Sequence, residues 1–237
     1  LGPEWRSPAV IEALRCMAIE GVAERGAIFT RPEVVDVILD LAGYTSDRPL
    51  HRLRLLEPSF GDGEFLIAAV KRLLAAYKAS VPNVGAAEAD LSNAVCAVEL
   101  NPDSYARTES RLIALLQEAG IILHDARAIC SSWLICDDFL LCRLEGCFDF
   151  VVGNPPYVRQ ERIPNALLSE YRARFSTLYD RADLYVPFYE RALDFLVDDG
   201  VLGFICANRW LKNKYGGPLR LKIQKSFHLT HFIDMES

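Results

Sequence analysis

Short apolar segments with strand character alternate with amphipathic helical segments along this sequence, and this alternation restricts the fold more than any other feature. The strand-like segments are Arg52–Leu56, Ala94–Leu100, Ile121–Ala126, Trp133–Leu141, Phe148–Val152, Gly200–Ala207 and Leu229–Met235. The helical segments are Ser7–Arg25, Thr30–Gly43, Glu64–Ala79, Pro102–Glu118 and Leu184–Leu196. Strands separated by helices predict an α/β fold with a doubly wound, mostly parallel sheet and helices on both faces.

The predicted helix over Thr30–Gly43 has a recognisable start. Thr30 is predicted to be its N-cap, with Pro32 in the first turn and Glu33 completing a capping box. Farther along, residues 158–180 are polar and irregular, which predicts an exposed loop with a short helix.

The composition fits one α/β domain and narrows the choice of partners. With 237 residues, of which 51% are hydrophobic, the chain can bury one full core. It has no run of about 18 apolar residues, so we expect no membrane-spanning segment and no membrane partner. The net charge of −6 argues mildly against a nucleic-acid partner, although an enzyme can place a local basic strip beside its cleft.

The seven cysteines do not form a recognisable metal-binding pattern. Their number is odd, no CxxC pair occurs, and Cys96 and Cys206 lie within apolar runs. Buried, reduced thiols of a cytosolic protein explain this distribution, and we expect no metal. The alternative is a zinc cluster, but its candidate ligands have the wrong spacing for a zinc knuckle and lack a histidine. These candidates are Cys130, Cys136, Cys142 and Cys147.

Three features at predicted strand ends are candidates for ligand binding. The segment 57–65, EPSFGDGEF, combines a turn containing two glycines with a helix start, where backbone N–H groups can approach a ligand. Glu99 ends the next strand, where an acid can bind both hydroxyls of a ribose. Asp138 and Phe139 can bind an adenine ring through a carboxylate and an aromatic face. The structural alternatives are a tight connection, a solvated or helix-capping glutamate, and a loop aspartate beside a core phenylalanine.

The sharpest feature is the sequence Asn154-Pro155-Pro156-Tyr157, which follows a predicted buried strand. Two successive prolines lack backbone N–H donors, hold φ near −65° and keep Asn154 extended. Such a loop is stiff, and its carbonyl groups and the Asn154 amide can point at a ligand. Tyr157 adds a flat face for stacking. The alternative is a rigid turn that only leaves a buried strand.

Taken in order, these segments resemble the amino-methyltransferases, and specifically the N6-adenine DNA methyltransferases of restriction–modification and phage-exclusion systems. The resemblance runs from about Gly26 to the end, in the motif order that places target recognition last. The matching segments are Phe29–Pro32, Glu57–Phe65, Glu99, Asp138-Phe139, Asn154–Tyr157, Val158–Glu161, Asp183–Tyr185, Gly200–Asn208 and Trp210–Arg220.

The resemblance implies S-adenosyl-L-methionine as cofactor and assigns a role to each candidate residue. Thr30 would lie near the methionine carboxylate and Glu57 near the ammonium group. Glu99 would hold the ribose hydroxyls, while Asp138 and Phe139 would hold the adenine. The backbone that would line the methionine and the ribose includes Ser59, Gly61 and Gly63.

The resemblance also implies methyl transfer to an adenine flipped out of double-stranded DNA. The catalytic residues would be Asn154, Pro155, Pro156 and Tyr157. The Asn154 side-chain oxygen and the Pro155 carbonyl would accept hydrogen bonds from the adenine amino group and make its nitrogen more nucleophilic. Tyr157 would stack on the base.

Two departures from the family lead us to expect a catalytic-domain fragment. The family's last strand and its target-recognition domain are absent, and the chain ends directly after a strand-like run. We therefore expect a helical extension over residues 1–25 and a catalytic domain over residues 26–237. The expected partners are double-stranded DNA and a C-terminal or separate target-recognition domain, with a nuclease as a further candidate.

Three other functions remain open from the sequence. A methyltransferase acting on a glutamine amide of a release factor, or on an RNA base, faces the same chemical problem and shares the tetrad. A non-catalytic domain can keep the fold to bind a partner. A nicotinamide-dependent oxidoreductase would need GxGxxG, whose third glycine is missing after Gly61 and Gly63.

Overall fold

The structure is a computed structural model that describes residues 6–19, 30–81 and 86–234. The chain divides into two compact units. The first, which we name the sheet unit, comprises Phe29–Asn154 and Phe195–Ile205. The second, which we name the helical unit, comprises Leu1–Ile28, Pro155–Asp194 and Cys206–Ser237. Within the described residues, no helix is long and apolar enough to cross a membrane.

The sheet unit is built on five parallel strands in the order β3-β2-β1-β4-β5, as the alternation of strands and helices predicts. The strands are β1 (Leu55–Glu57), β2 (Val95–Glu99), β3 (Leu134–Cys136), β4 (Phe148–Gly153) and β5 (Leu196–Phe204). The helices are α2 (Pro32–Leu41), α3 (Glu64–Ser80), α4 (Ala87–Leu91), α5 (Pro102–Glu118) and α6 (Leu123–Trp133), with a 3-10 turn at Leu50–Arg52. The α/β fold class is confirmed.

The core of this unit lies between the sheet and its helices. Central strands buried on both faces are continuously apolar, so Leu55, Leu56 and Val151 are fully buried without alternation. In α3, apolar residues recur at helical spacing on the face that packs inward. Its buried residues are Phe65, Leu66, Ala69, Val70, Leu73, Leu74, Ala76 and Tyr77.

The helical unit contains the shorter elements. They are α1 (Pro8–Ile19), α7 (Asn165–Arg174), α8 (Tyr185–Asp194), α9 (Arg209–Lys212) and α10 (Gly217–Ser226), with 3-10 turns at Gln160–Arg162 and Lys214–Gly216. Helix α1 contacts α7, and its buried residues include Val10, Leu14 and Met17. The predicted part of this helix beyond Ile19 lies outside the described residues.

Two predicted strands are wrong. The segment Ile121–Ala126 contributes to α6, because its apolar pattern continues at helical spacing through Ala126, Ile129 and Trp133, all buried. Residues 229–234 form no strand in the described structure. Leu229, Phe232 and Ile233 are 53–61% exposed, so the segment buries little of the apolar surface that stabilises a strand in a sheet.

Two further boundaries differ from the prediction. The segment Trp133–Leu141 contains only the three-residue β3, because the Asp138 carbonyl accepts the N–H groups of Leu141 and Cys142 and closes a turn. β5 begins at Leu196 and ends at Phe204, and it includes a left-handed residue, Asp199, at φ 62°. The short helix expected within residues 158–180 is present as the ten-residue α7.

The cysteines correct another expectation. Cys130 and Cys142 are buried, but Cys16, Cys136 and Cys147 are exposed. The four proposed zinc ligands do not come together. Among the described residues, the group of three side chains that could share a cation is Glu88, His124 and Asp125, which lies mostly at the surface.

Candidate active site

The predicted cofactor-binding residues meet at one edge of the sheet unit. Because the strands are parallel, their carboxyl ends lie together, and ligands of such sheets bind where the strand order reverses. Here the reversal lies between β1 and β4. Glu57 ends β1, Glu99 ends β2, Asp138 follows β3 and Asn154 follows β4.

Glu99 clamps the glycine turn to the second strand. Its Oε2 accepts a hydrogen bond from the Gly61 N–H at 2.8 Å, and its Oε1 accepts one from the Asn101 N–H at 2.8 Å. The Phe60 N–H also donates to the Val98 carbonyl. Glu99 is 6% exposed. Both of its oxygens therefore organise the backbone, a structural role that the sequence did not reveal.

The two glycines of the turn serve different purposes. Gly63 has φ 88°, and a Cβ there would lie 2.8 Å from Cγ2 of Thr108 on α5, so only glycine fits without displacement. Gly61 has φ 52°, and no described atom lies within 4 Å of an added Cβ. Ser59 is half-buried in the same turn. The turn thus leaves open space above Gly61, where its backbone can approach a ligand.

Glu57 is a buried acid of this edge. It is 1% exposed, and its Oε2 has no hydrogen-bond partner among the described residues. Burial raises the pKa of its carboxyl well above the usual range, and the charges of Glu64 and Glu99 raise it further. A buried carboxylate is costly unless it is paired. The site therefore suits a cationic group.

Asp138 and Phe139 lie beyond β3 and are 4% and 2% exposed. The Asp137 N–H donates to the Glu99 carbonyl at 3.0 Å, which ties this loop to the end of β2. The pair therefore follows a loop that is bonded to Glu99, the residue whose side chain accepts the Gly61 N–H. The burial of Phe139 also agrees with the alternative of a core phenylalanine.

Thr30 contacts Asn154 instead of capping a helix. The N-cap of α2 is Arg31, and no side chain caps this helix, so the predicted capping box is wrong. The Asn154 Nδ2 group instead donates to the Thr30 hydroxyl at 3.0 Å, across 124 residues of sequence. Thr30 is 5% exposed. This bond holds the amide group of the tetrad in one orientation.

The rest of the tetrad belongs to the helical unit. Pro155 is buried, whereas Pro156 and Tyr157 are partly exposed. The Tyr157 ring lies 5.9 Å from the Tyr185 ring, centre to centre. Burial raises the pKa of Tyr157 above its usual range, as does Cys206, so this residue presents a neutral phenol.

Further aromatic residues support this tyrosine. The hydroxyls of Tyr185 and Tyr215 are hydrogen-bonded at 3.2 Å. Tyr189 contacts the Cys206 thiol at 3.2 Å and has its ring 5.7 Å from that of Trp210. We name these five residues the aromatic cluster: Tyr157, Tyr185, Tyr189, Trp210 and Tyr215. Sequence reasoning assigned Tyr189, Trp210 and Tyr215 no role, and their only signal was their position in or near the segments of family resemblance.

The chain is similar to known restriction–modification methylases. The model of the Eco57I restriction-modification methylase family matches residues 94–237. The chain is 56% identical over 227 residues to the Type II methyltransferase M.PaeR7I of Pseudomonas aeruginosa, covering 95% of this chain and 39% of that protein. It is 43% identical over 214 residues to M.BstVI of Geobacillus stearothermophilus, covering 89% and 38%. The chain thus spans about two-fifths of the length of these relatives.

Solved structures share the fold at low sequence identity. A nuclease-deletion mutant of the Type ISP restriction-modification enzyme LlaGI, in complex with a DNA substrate mimic, matches with a TM-score of 0.61 and 19% identity, covering 85% of this chain and 22% of that chain. A Listeria monocytogenes protein assigned to the class I S-adenosylmethionine-dependent methyltransferases matches with a TM-score of 0.57 and 14% identity, covering 91% and 57%.

Proposed function

The chain belongs to the family of Eco57I restriction-modification methylases, and from that membership we propose that it methylates N6 of adenine in double-stranded DNA, using S-adenosyl-L-methionine. The observation that carries this proposal is the convergence of Glu57, Glu99, Asp138 and Asn154 at one edge of the parallel sheet. Acids that suit a cationic cofactor lie there together with an oriented amide.

The donor set of this edge fits the cofactor. The unpartnered Oε2 of Glu57 would accept the ammonium group of the methionine moiety, which would also relieve the unfavourable burial of that carboxylate. Glu99 would bind the ribose hydroxyls, because each carboxylate oxygen can accept more than one hydrogen bond. Asp138 and Phe139 would hold the adenine. When bound, the cofactor supplies an electrophilic methyl group on a sulfonium centre.

The tetrad residues would activate the nucleophile. The adenine amino group is a poor nucleophile because its lone pair is delocalised into the ring. Hydrogen bonds to the Asn154 side-chain oxygen and the Pro155 carbonyl would favour a tetrahedral, electron-rich nitrogen. The Thr30 hydroxyl supports this role because it holds the Asn154 Nδ2 group and thereby orients the amide. Tyr157 would stack on the flipped base, a contact worth about 1–3 kcal/mol in comparable sites.

The length of the relatives supports a proposal for the domain organisation and for target recognition. We propose that residues 26–237 act as the catalytic domain and residues 1–25 as a helical extension. Because the relatives are much longer than this chain, we assign target recognition, and any nuclease activity, to protein outside it.

The test is methyl transfer from labelled cofactor to duplex DNA by the full-length protein, followed by identification of the modified base. We expect N6-methyladenine. Asn154→Ala should lower the rate by about 100- to 1000-fold, the usual effect of removing one preorganised polar group, while cofactor affinity stays near the wild-type value. Methylation of cytosine, RNA or a protein glutamine, or full activity of Asn154→Ala, would contradict the proposal.

A further inference from the structure

The segment 209–225 has a charge composition unlike the rest of the chain. It contains six lysine and arginine residues and no acid, whereas the whole chain has a net charge of −6. Clustered like charges repel one another and destabilise the folded state. Some other interaction, within the protein or with a ligand, must therefore offset the repulsion among these six cations.

Half of these cations have a structural role. Arg220 donates to the backbone carbonyls of Trp210 and Asn213, which closes the turn between α9 and α10. Lys222 forms an ion pair with Asp194 on α8. Lys225 lies in the last turn of α10, where a positive charge interacts favourably with the helix dipole.

The other three cations hold no carbonyl or carboxylate among the described residues, although Arg209 and Lys212 also lie in the last turn of the four-residue α9. Arg209, Lys212 and Lys214 are exposed and form no salt bridge with any residue that the structure describes. Arg159 is also exposed, two residues after Tyr157. Arg159 and Arg209 both lower the pKa of Asp183, although burial raises it overall, so both guanidinium groups lie near this one carboxyl.

Each of these four cations lies within two residues, along the sequence, of a member of the aromatic cluster. Arg209 precedes Trp210 in α9, and the Trp210 ring packs on Tyr189. Lys214 precedes Tyr215, which is hydrogen-bonded to Tyr185, and Tyr185 in turn packs on Tyr157. The residues that anchor this segment therefore alternate with residues that carry exposed positive charge.

We propose that Arg159, Arg209, Lys212 and Lys214, named here the cationic surface, bind the DNA phosphates that flank the target nucleotide. The inference rests on the proposed function, since the target base would stack on Tyr157. A flipped base leaves its flanking phosphates close to the residues around its pocket. Exposed cations anchored to that pocket's aromatic residues would hold the distorted backbone while the base is out of the duplex. Direct phosphate contacts would also explain how an acidic chain binds DNA.

The test compares two triple variants of the full-length protein. Arg209→Gln/Lys212→Gln/Lys214→Gln removes three charges from the cationic surface. Lys71→Gln/Lys78→Gln/Arg127→Gln removes three exposed charges from the sheet unit, so both variants have the same net charge. Duplex binding is measured by fluorescence anisotropy over a range of salt concentrations. Thermal melting and cofactor titration show that each variant is folded.

Each phosphate contact contributes about 0.9 to the slope of log K against log salt. We expect the cationic-surface variant to lose about 2–3 from this slope and at least 10-fold in affinity at low salt. We expect the control variant to leave the slope unchanged and to alter the affinity by no more than about 2-fold. Equal losses in both variants, or an unchanged slope in the first, would overturn the proposal. Base identity is assayed separately, so a failure to methylate adenine would refute the proposed function without altering the outcome of the binding test.

Discussion

Glu57→Gln tests the proposed cofactor site most directly, because the structure predicts opposite effects on binding and on stability. Glu57 is buried at the end of β1, and its Oε2 lacks a partner within the described residues. Burial and the charges of Glu64 and Glu99 raise its pKa well above 4.5. The carboxylate is therefore unfavourable in the free protein and becomes favourable when a cationic group binds to it.

The stability effect follows from proton linkage. Because the folded-state pKa of Glu57 lies above the unfolded value of 4.5, the folded protein retains a proton that the unfolded chain has lost. The stability of the free protein therefore falls as pH rises from 4.5 towards the folded-state pKa, by up to about 1.4 kcal/mol per pH unit. Glu57→Gln removes this loss, so we expect the variant to unfold about 2–4 °C higher than wild type at neutral pH.

The binding effect has the opposite sign. A hydrogen bond to a charged group contributes roughly 1 kcal/mol more than a neutral one, and the amide also lacks the charge that attracts an ammonium group. We expect Glu57→Gln to bind S-adenosyl-L-methionine about 10- to 30-fold more weakly, which corresponds to about 1.4–2 kcal/mol. Wild-type affinity should rise with pH up to the raised pKa, since binding favours the ionised carboxyl and releases a proton.

The assay is calorimetric titration in two buffers of different ionisation enthalpy, which counts released protons, together with thermal melting of the unliganded protein. Glu118→Gln is the matched control, because it makes the same charge change at an exposed position of α5. It should leave affinity and melting temperature unchanged. Two results together would refute the reasoning. Glu57→Gln would bind the cofactor as tightly as the wild type does, and the affinity of the wild type would not change with pH.

Two further predictions concern the hydrogen bonds around the site. Thr30→Val removes the acceptor that orients the Asn154 amide and should lower kcat about 10-fold, whereas Thr30→Ser should restore it; equal rates for both variants would contradict the positioning role. Glu99→Gln places an amide NH2 group against the N–H group of either Gly61 or Asn101, and two donors cannot form a hydrogen bond. The variant should therefore have a free energy of unfolding lower by about 1–3 kcal/mol and should bind the cofactor more weakly. Thermal melts and cofactor titrations would check it, and an unchanged melting temperature would argue against the clamp.

Local patterns predicted well wherever one segment contains the whole signal. Helix α5 has the predicted bounds Pro102–Glu118, since a proline at the first position and an N-cap asparagine define its start. The same patterns misassigned Ile121–Ala126 as a strand. A short apolar run fits either a strand or a buried helix, and the choice depends on what it packs against.

The site shows the same division between local and long-range information. The strand ends and the tetrad are encoded locally, so the sequence places Glu57, Glu99, Asp138 and Asn154 at or just after strand ends, where the structure also has them. Their contacts are not local. Thr30 was assigned as a cap because only its neighbours in sequence were visible, but its hydroxyl binds Asn154 across 124 residues.

The sequence by itself determined the α/β fold class, most of the strands and helices in their order along the chain, and the candidate residues that lie at or just after strand ends. These depend on hydrophobic periodicity, glycine and proline conformation, and motif spacing, all of which operate over a few residues. Only the tertiary structure decided that Glu99 clamps the glycine turn and that Glu57 is buried without a partner. It also decided that Trp210 and Tyr215 join the tyrosines around Tyr157. Burial and hydrogen bonding between distant segments depend on how the strands pair and the helices pack, and that packing is a property of the folded chain as a whole.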